Sequence, residues 1–288
     1  MGFRLVLISL LLITFSCKSE RDDKRALNLV IGGSDTEYEV VNSILEKYKL
    51  QSGDNITLQA GGSSLGINQI INGEVQMANS SRRISEYELE AAAEKGIEIE
   101  EVKFAYDALA FISHPSIKID SLSTIDLGKI LRGEVKNWEE LGYQNMPIKI
   151  YGRDLNSGTR KYIENRFVRN EGFATNHIET KGNKEIIEKV KNNKGAIGYV
   201  GVGFIVNKYG MPANDVWAIP IYVEGGKAHS PYELLAVINN EYDLIRPLYQ
   251  YINKKYLDAF SDFIEFELST QGQRLVKDDG FYGIDFNL

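Results

Sequence analysis

A strand pattern, a Gly/Ser/Thr loop and a helical pattern recur in that order along the chain, and this alternation constrains the fold more than any other feature. Leu27-Asn28-Leu29-Val30-Ile31 is rich in branched residues and reads as a strand. Gly32 to Thr36 is a turn, after which Val40, Val41, Ile44, Leu45 and Tyr48 fall at helical spacing. The unit returns as the strand Ile56 to Ala60, the loop Gly61 to Gly66 and a helix opened by Ile67, Ile70 and Ile71. It returns again as Val75 to Ala78, Asn79-Ser80-Ser81-Arg82 and a helix containing Tyr87 and Leu89. Further on, Ile148 to Tyr151, the loop Gly152 to Arg160 and a helix begun by Tyr162, Ile163 and Phe167 repeat the order. Leu122 to Leu131 reads as helix, and Gly195 to Gly201 and Val216 to Val223 as strands. Such alternation predicts an α/β fold with a mostly parallel sheet.

Two segments depart from that rhythm. Phe104 to Ser113 is an apolar run too long for one ordinary strand, and it predicts a strand crossing between two lobes. Arg246 to Ile252 reads as a second crossing strand, followed by a helix from Asp258 to Leu268. Two crossings divide the chain into a discontinuous lobe, 27–106 with 246–288, and a continuous lobe, 107–245. A length of 288 residues allows one large domain or two of ordinary size. In such folds the ligand sits where the lobes face each other.

The first residues are of another kind. Arg4 precedes the apolar run Leu5 to Phe15, which at about eleven residues is shorter than the ~20 a membrane-spanning helix needs. Residues 1–16 therefore read as a signal peptide. Thr14-Phe15-Ser16-Cys17 resembles a bacterial lipobox, with Cys17 as the lipidated residue and 17–26 as a polar tether. Cys17 is the single cysteine, so no intrachain disulfide is available. The expected location is extracytoplasmic, held to a membrane by the lipid anchor alone.

A net charge of −7 argues against a nucleic-acid partner, which would need clustered Lys and Arg. It does not exclude a small anion, because a buried site is set by local donors rather than by overall charge. A dehydrated anion needs inward-pointing donors, which helix N-termini, hydroxyls and Arg supply. Three loops have that composition: Gly33-Ser34-Asp35-Thr36, Gly62-Ser63-Ser64 and Ser157-Gly158-Thr159, the last with Arg153 upstream. Each alone reads more readily as an ordinary helix cap. Gly62-Ser63-Ser64-Leu65-Gly66 also fits a nucleophile elbow centred on Ser64. A hydrolase would then need a base from His114, His177 or His229. No metal-ligand spacing stands out and no cofactor is expected.

The sequence resembles the phosphate-specific substrate-binding proteins of bacterial ABC transporters. The likeness runs in order through Gly33 to Thr36, Gln59 to Gly66, Ala78 to Arg82, Phe104 to Ala110, Arg153 to Arg160, Gly195 to Val200, Arg246 to Tyr249 and Phe263 to Gly272. Its most specific stretch is Arg153 to Arg160. The resemblance implies a two-lobed periplasmic-binding-protein (type II) fold, a monomeric state, inorganic phosphate as ligand and permease subunits as partners. It implies a ligand set of Ser34, Thr36, Ser63, Ser81, Arg153, Ser157, the Gly158 backbone N–H and Thr159, with no catalytic role. Sulfate or molybdate binding, or phosphate sensing, are the neighbouring readings. Two positions depart from the family: Ser81 stands where some members carry Asp, and Leu155 where many carry an acid that orients the Arg.

Overall fold

The computed structural model describes residues 28–284 apart from 118, 208, 209 and 214. The signal peptide, Cys17, the tether and Leu27 lie outside the described residues. The chain opens with β1 (Leu29–Gly33), α1 (Tyr38–Ser52), β2 (Ile56–Ala60), α2 (Ser63–Ile71), β3 (Met77–Ser80) and α3 (Glu86–Glu94). The first three strands are parallel, with β1 between its neighbours. The apolar stripe expected on the first helix is the buried face of α1, and Gly53 ends that helix in the left-handed conformation. Asn79 and Ser80, expected in a loop, extend β3 because Gln250 and Tyr249 pair with them.

β4 (Ile99–Ser113) is the long strand expected from the apolar run. Its last five residues, Leu109 to Ser113, pair with β8 (Ala196–Gly201). Between them come β5 (Leu122–Ser123), α4 (Thr124–Arg132), β6 (Lys149–Arg153), α5 (Gly158–Ile163), β7 (His177–Thr180) and α6 (Asn183–Lys191). β6 lies parallel to both β7 and β8. The segment expected as one helix from Leu122 begins instead as β5, because Ser123 caps α4 by accepting from Asp126 N–H at 2.9 Å. The strand expected over Val216 to Val223 is two short ones, β9 (Trp217–Ala218) and β10 (Ile221–Tyr222). Pro220 separates them, having no N–H to give to a ladder.

After α7 (Leu234–Ile238) the chain returns as β11 (Ile245–Asn253), α8 (Leu257–Leu268), α9 (Thr270–Asp278) and β12 (Tyr282–Gly283). β11 lies antiparallel between β3 and the Ile99–Ala108 part of β4. Its crossing is confined to its start: Ile245 and Arg246 pair with Ala108 and Asp107, the rest pairs with β3 and the Ile99–Tyr106 part of β4 in the first lobe, and the chain passes over at Leu244–Ile245, where Leu109 N–H donates to the Leu244 carbonyl. The sheet is thus parallel toward both ends and antiparallel in the middle, a correction to the mostly parallel expectation. The reason is that β4 and β11, the segments that join the lobes, run against their neighbours.

Buried apolar side chains gather separately on either side of this join. Ile31, Ile44, Phe104, Phe260 and Phe263 pack in the first lobe. Ile67, Ile70 and Tyr251 form a second cluster there. Phe111, Trp138, Ile150 and Tyr199 lie in the other lobe. The fold is a two-lobed α/β architecture in which one strand, β4, contributes to both halves.

Candidate anion-binding site

The three polar loops and the end of β3 meet where the lobes face each other. Ser34, Thr36, Ser63, Ser81, Arg153, Ser157 and Thr159 are all buried, and so is Gly158. From the first lobe, β1 delivers Ser34 and Thr36, the N-terminus of α2 delivers Ser63, and the end of β3 delivers Ser81. From the second, the loop after β6 and the first turn of α5 deliver Arg153 through Thr159.

The approach is close enough to require glycine at two places. A Cβ on Gly158 would lie 2.3 Å from Ser63 Oγ and 2.7 Å from Ser81 Oγ. A Cβ on Gly62 would lie 2.5 Å from the Asn156 carbonyl oxygen, and Gly62 has a positive φ of 94°. With glycine there, Ser64 N–H donates to the Asn156 carbonyl across the lobes at 3.0 Å.

Hydroxyls pair across this contact. Oγ1 of Thr36 and Oγ1 of Thr159 are 3.2 Å apart. Oγ of Ser63 is 3.2 Å from Oγ of Ser81 and accepts from Ser81 N–H at 3.1 Å. Neither α1 nor α2 has a side-chain cap, so Thr36 and Ser63 are not held as helix caps. Ser157 is: its hydroxyl accepts from Arg160 N–H at 3.2 Å. The Ser34 hydroxyl is buried without a hydrogen-bond partner.

Arg153 is 1% exposed. One of its terminal nitrogens donates to the Asp35 carboxylate, which also accepts from Gly61 N–H at 3.0 Å. Its Nε is buried without a hydrogen-bond partner. The acid that orients this Arg is therefore Asp35 of the opposite lobe. Asp154 instead accepts from Asn156 N–H, and Leu155 is exposed.

A second buried Arg was not among the sequence candidates. Arg246, at the start of β11, faces Asp107 of β4 and reaches both lobes' hydroxyl loops. The signal was present in the sequence: Asp107 is the one charged residue in the run Phe104 to Ser113, and a charge buried there needs a partner. Burial pushes the Asp107 carboxyl up, against the opposing pull of Arg246. Behind the first loop, burial likewise raises Glu37 well above the usual carboxylate range, with the Ser34 hydroxyl and Arg246 opposing.

A cavity of 550 Å³ opens beside this cluster, with Ser81 and Arg246 in its wall together with Arg82, Lys161, Tyr162 and Arg166. Ser64 accepts from Arg82 at 3.3 Å. The three histidines hydrogen-bond elsewhere: His114 to Ser116, His177 to Tyr199 and His229 to Glu233. The Ser–His pair of a hydrolase is not among the described hydrogen bonds. Among the described residues no group of three or more His, Cys, Asp or Glu could hold a metal, and no helix is long and apolar enough to cross a membrane.

Two lobes joined by a shared strand, with buried donors from both meeting between them, define the class of two-lobed solute-binding proteins. Comparison with known proteins agrees. Residues 18–271 match the family model of the PBP superfamily domain. The chain is 33% identical over 283 residues to the phosphate-binding protein PstS of Borreliella burgdorferi, covering 94% of each chain. A phosphate ABC transporter substrate-binding protein of Clostridium perfringens, solved with bound phosphate, superposes with a TM-score of 0.77 at 27% identity, over 89% of this chain and 99% of that one. An ABC-type phosphate transport receptor of Vibrio cholerae shares the fold, with a TM-score of 0.69 at 22% identity over 88% of this chain and 99% of that one. The chain belongs to the family of phosphate-specific substrate-binding proteins of bacterial ABC transporters.

Proposed function

We propose that this protein captures inorganic phosphate between its lobes and hands it to the permease subunits of an ABC transporter, as a monomer and without catalysing a reaction. The observation that carries the reading is the convergence of buried donors from both lobes around Arg153, whose Nε has no protein partner. A buried charged donor is costly unless an acceptor meets it, and a tetrahedral oxyanion offers acceptors in several directions. We assign the ligand contacts to Ser34, Thr36, Ser63, Ser81, Arg153, Ser157, the Gly158 N–H and Thr159. The lobes are assigned as 27–106 with 246–288, and 107–245.

Asp35 adds an acceptor to these donors and favours phosphate over sulfate or molybdate. It is the carboxylate paired with Arg153, and a carboxylate accepts the proton of hydrogen phosphate while repelling a ligand that has none. Cys17 carries the lipid anchor on the extracytoplasmic side of the membrane, after removal of residues 1–16. Calorimetric titration of the mature protein with phosphate, arsenate, sulfate and molybdate tests the reading. One phosphate per chain is expected, with sulfate weaker and the gap narrowed in Asp35→Asn. Absence of heat and of thermal shift with every tetrahedral oxyanion would overturn it.

A further inference from the structure

Arg246 and Asp107 lie outside the proposed ligand set, yet they connect its two halves. They face each other in register on β11 and β4 and are 2% and 1% exposed. Nε and Nη2 of Arg246 donate to one Asp107 carboxylate oxygen at 3.2 and 2.9 Å. Nη1 donates to the Ser81 carbonyl in the first lobe at 3.1 Å, and Nη2 to Oγ1 of Thr159 in the second at 2.9 Å.

A guanidinium offers donors only. Oγ1 of Thr159 is therefore an acceptor toward Arg246. Thr159 and Thr36 together own two hydroxyl protons, and one closes the 3.2 Å contact between them. If Thr36 gives that proton, Arg246 and Thr36 together fill both lone pairs of the Thr159 hydroxyl and leave it only a proton to offer; if Thr159 gives it, Thr36 keeps its own proton to donate. Ser63 and Ser81 are biased in the same way by the Ser81 N–H, an obligate donor at the inner end of that pair. Gly158 lies against the Ser63–Ser81 pair and the next residue, Thr159, belongs to the other, so both surplus protons belong to one neighbourhood.

We propose that the Arg246–Asp107 pair is a positioning element which, from behind the site, ties the Ser81 carbonyl of one lobe to the Thr159 hydroxyl of the other and presets that hydroxyl pair as a donor to the bound oxyanion. This rests on the oxyanion reading above. Asp107 fixes the guanidinium, and the guanidinium fixes Thr159 only when the lobes are together. The pair thereby slows ligand release without touching the ligand.

The test is a double-mutant cycle of Arg246→Lys and Thr159→Val, read by phosphate titration, stopped-flow dissociation and thermal melting of the mature protein. Lys keeps a cation beside Asp107 but lacks the planar fork that serves Ser81 and Thr159 together. Arg246→Lys is expected to melt as a folded protein and to release phosphate about tenfold to a hundredfold faster. Thr159→Val should then cost far less in the Lys background than in the wild type, a coupling that a purely structural role would not produce. Equal losses in both backgrounds, or unchanged phosphate affinity in Arg246→Lys, would overturn the proposal. Should Arg246→Lys fail to fold, the cycle is run on Asp107→Asn/Arg246→Gln, which removes both buried charges. Failure of both to fold assigns the pair to the fold alone and also overturns the proposal. Wild-type protein that takes no phosphate sinks the oxyanion reading itself, before any variant is compared.

Discussion

Arg153 and Arg160 stand seven positions apart on the same loop and helix, and burial separates their roles. The Arg153 guanidinium is enclosed and held by Asp35. Arg160 lies on the outer side of the loop, donating to the Arg153 carbonyl at 2.9 Å and to Glu179 at 2.5 Å, with its guanidinium 4.9 Å from the Phe173 ring centroid. Arg153→Ala is expected to weaken phosphate binding by about 2–5 kcal/mol, and Arg160→Ala by much less. Titration of the two variants side by side decides this, and equal losses would mean that the wrong Arg has been assigned. Sequence composition named Arg153 because it precedes a Ser-Gly-Thr helix start. It could not name Asp35 as the partner, since the pairing spans 118 positions and exists only once the lobes meet.

At the scale of elements, α5 shows why a helix start here is more than a cap. Gly158 lets its first turn press against Ser63 and Ser81. Gly158→Ala should raise the intrinsic helix preference slightly, yet the added Cβ would force the α2 and α5 termini apart. The expected result is a melting temperature close to wild type with a large loss of phosphate affinity; intact affinity would show that the helix starts need not approach. α8 and β11 carry a different signal. Glu267 is fully buried, accepts from Gln250 at 3.0 Å, and burial pushes its carboxyl up to about 8 from an ordinary 4.5. The native state therefore holds this proton where the unfolded chain has released it, so stability is full below pH 4.5 and falls as pH rises toward 8. Glu267→Gln should remove that part of the decline. Denaturant unfolding from pH 4.5 to 8 measures it, and an unchanged slope would place the titrating group elsewhere.

For the molecule as a whole, anchoring and binding are separable. The proposed anchor, Cys17, lies ahead of a polar tether and eleven residues before the described part begins. Cys17→Ser is expected to release the protein from membranes with phosphate affinity unchanged, because an acyl chain acts by insertion and not through the fold. A variant that still fractionates with membranes would argue against lipidation. Much of this architecture was legible beforehand. Local periodicity fixed the α/β alternation, the buried stripe of α1 and the long strand β4, since these depend on which residues neighbour one another along a helix or strand. The polar loops were legible as candidates for the same reason: glycine, hydroxyl and helix start are adjacent in sequence. What the chain alone could not decide was everything that depends on distant segments meeting. The antiparallel seat of β11, the Asp35–Arg153 pair, the paired hydroxyls and Arg246 bridging both lobes are contacts over 18 to 175 positions. Their partners are selected by how two lobes close on each other, and no local spacing encodes that closure.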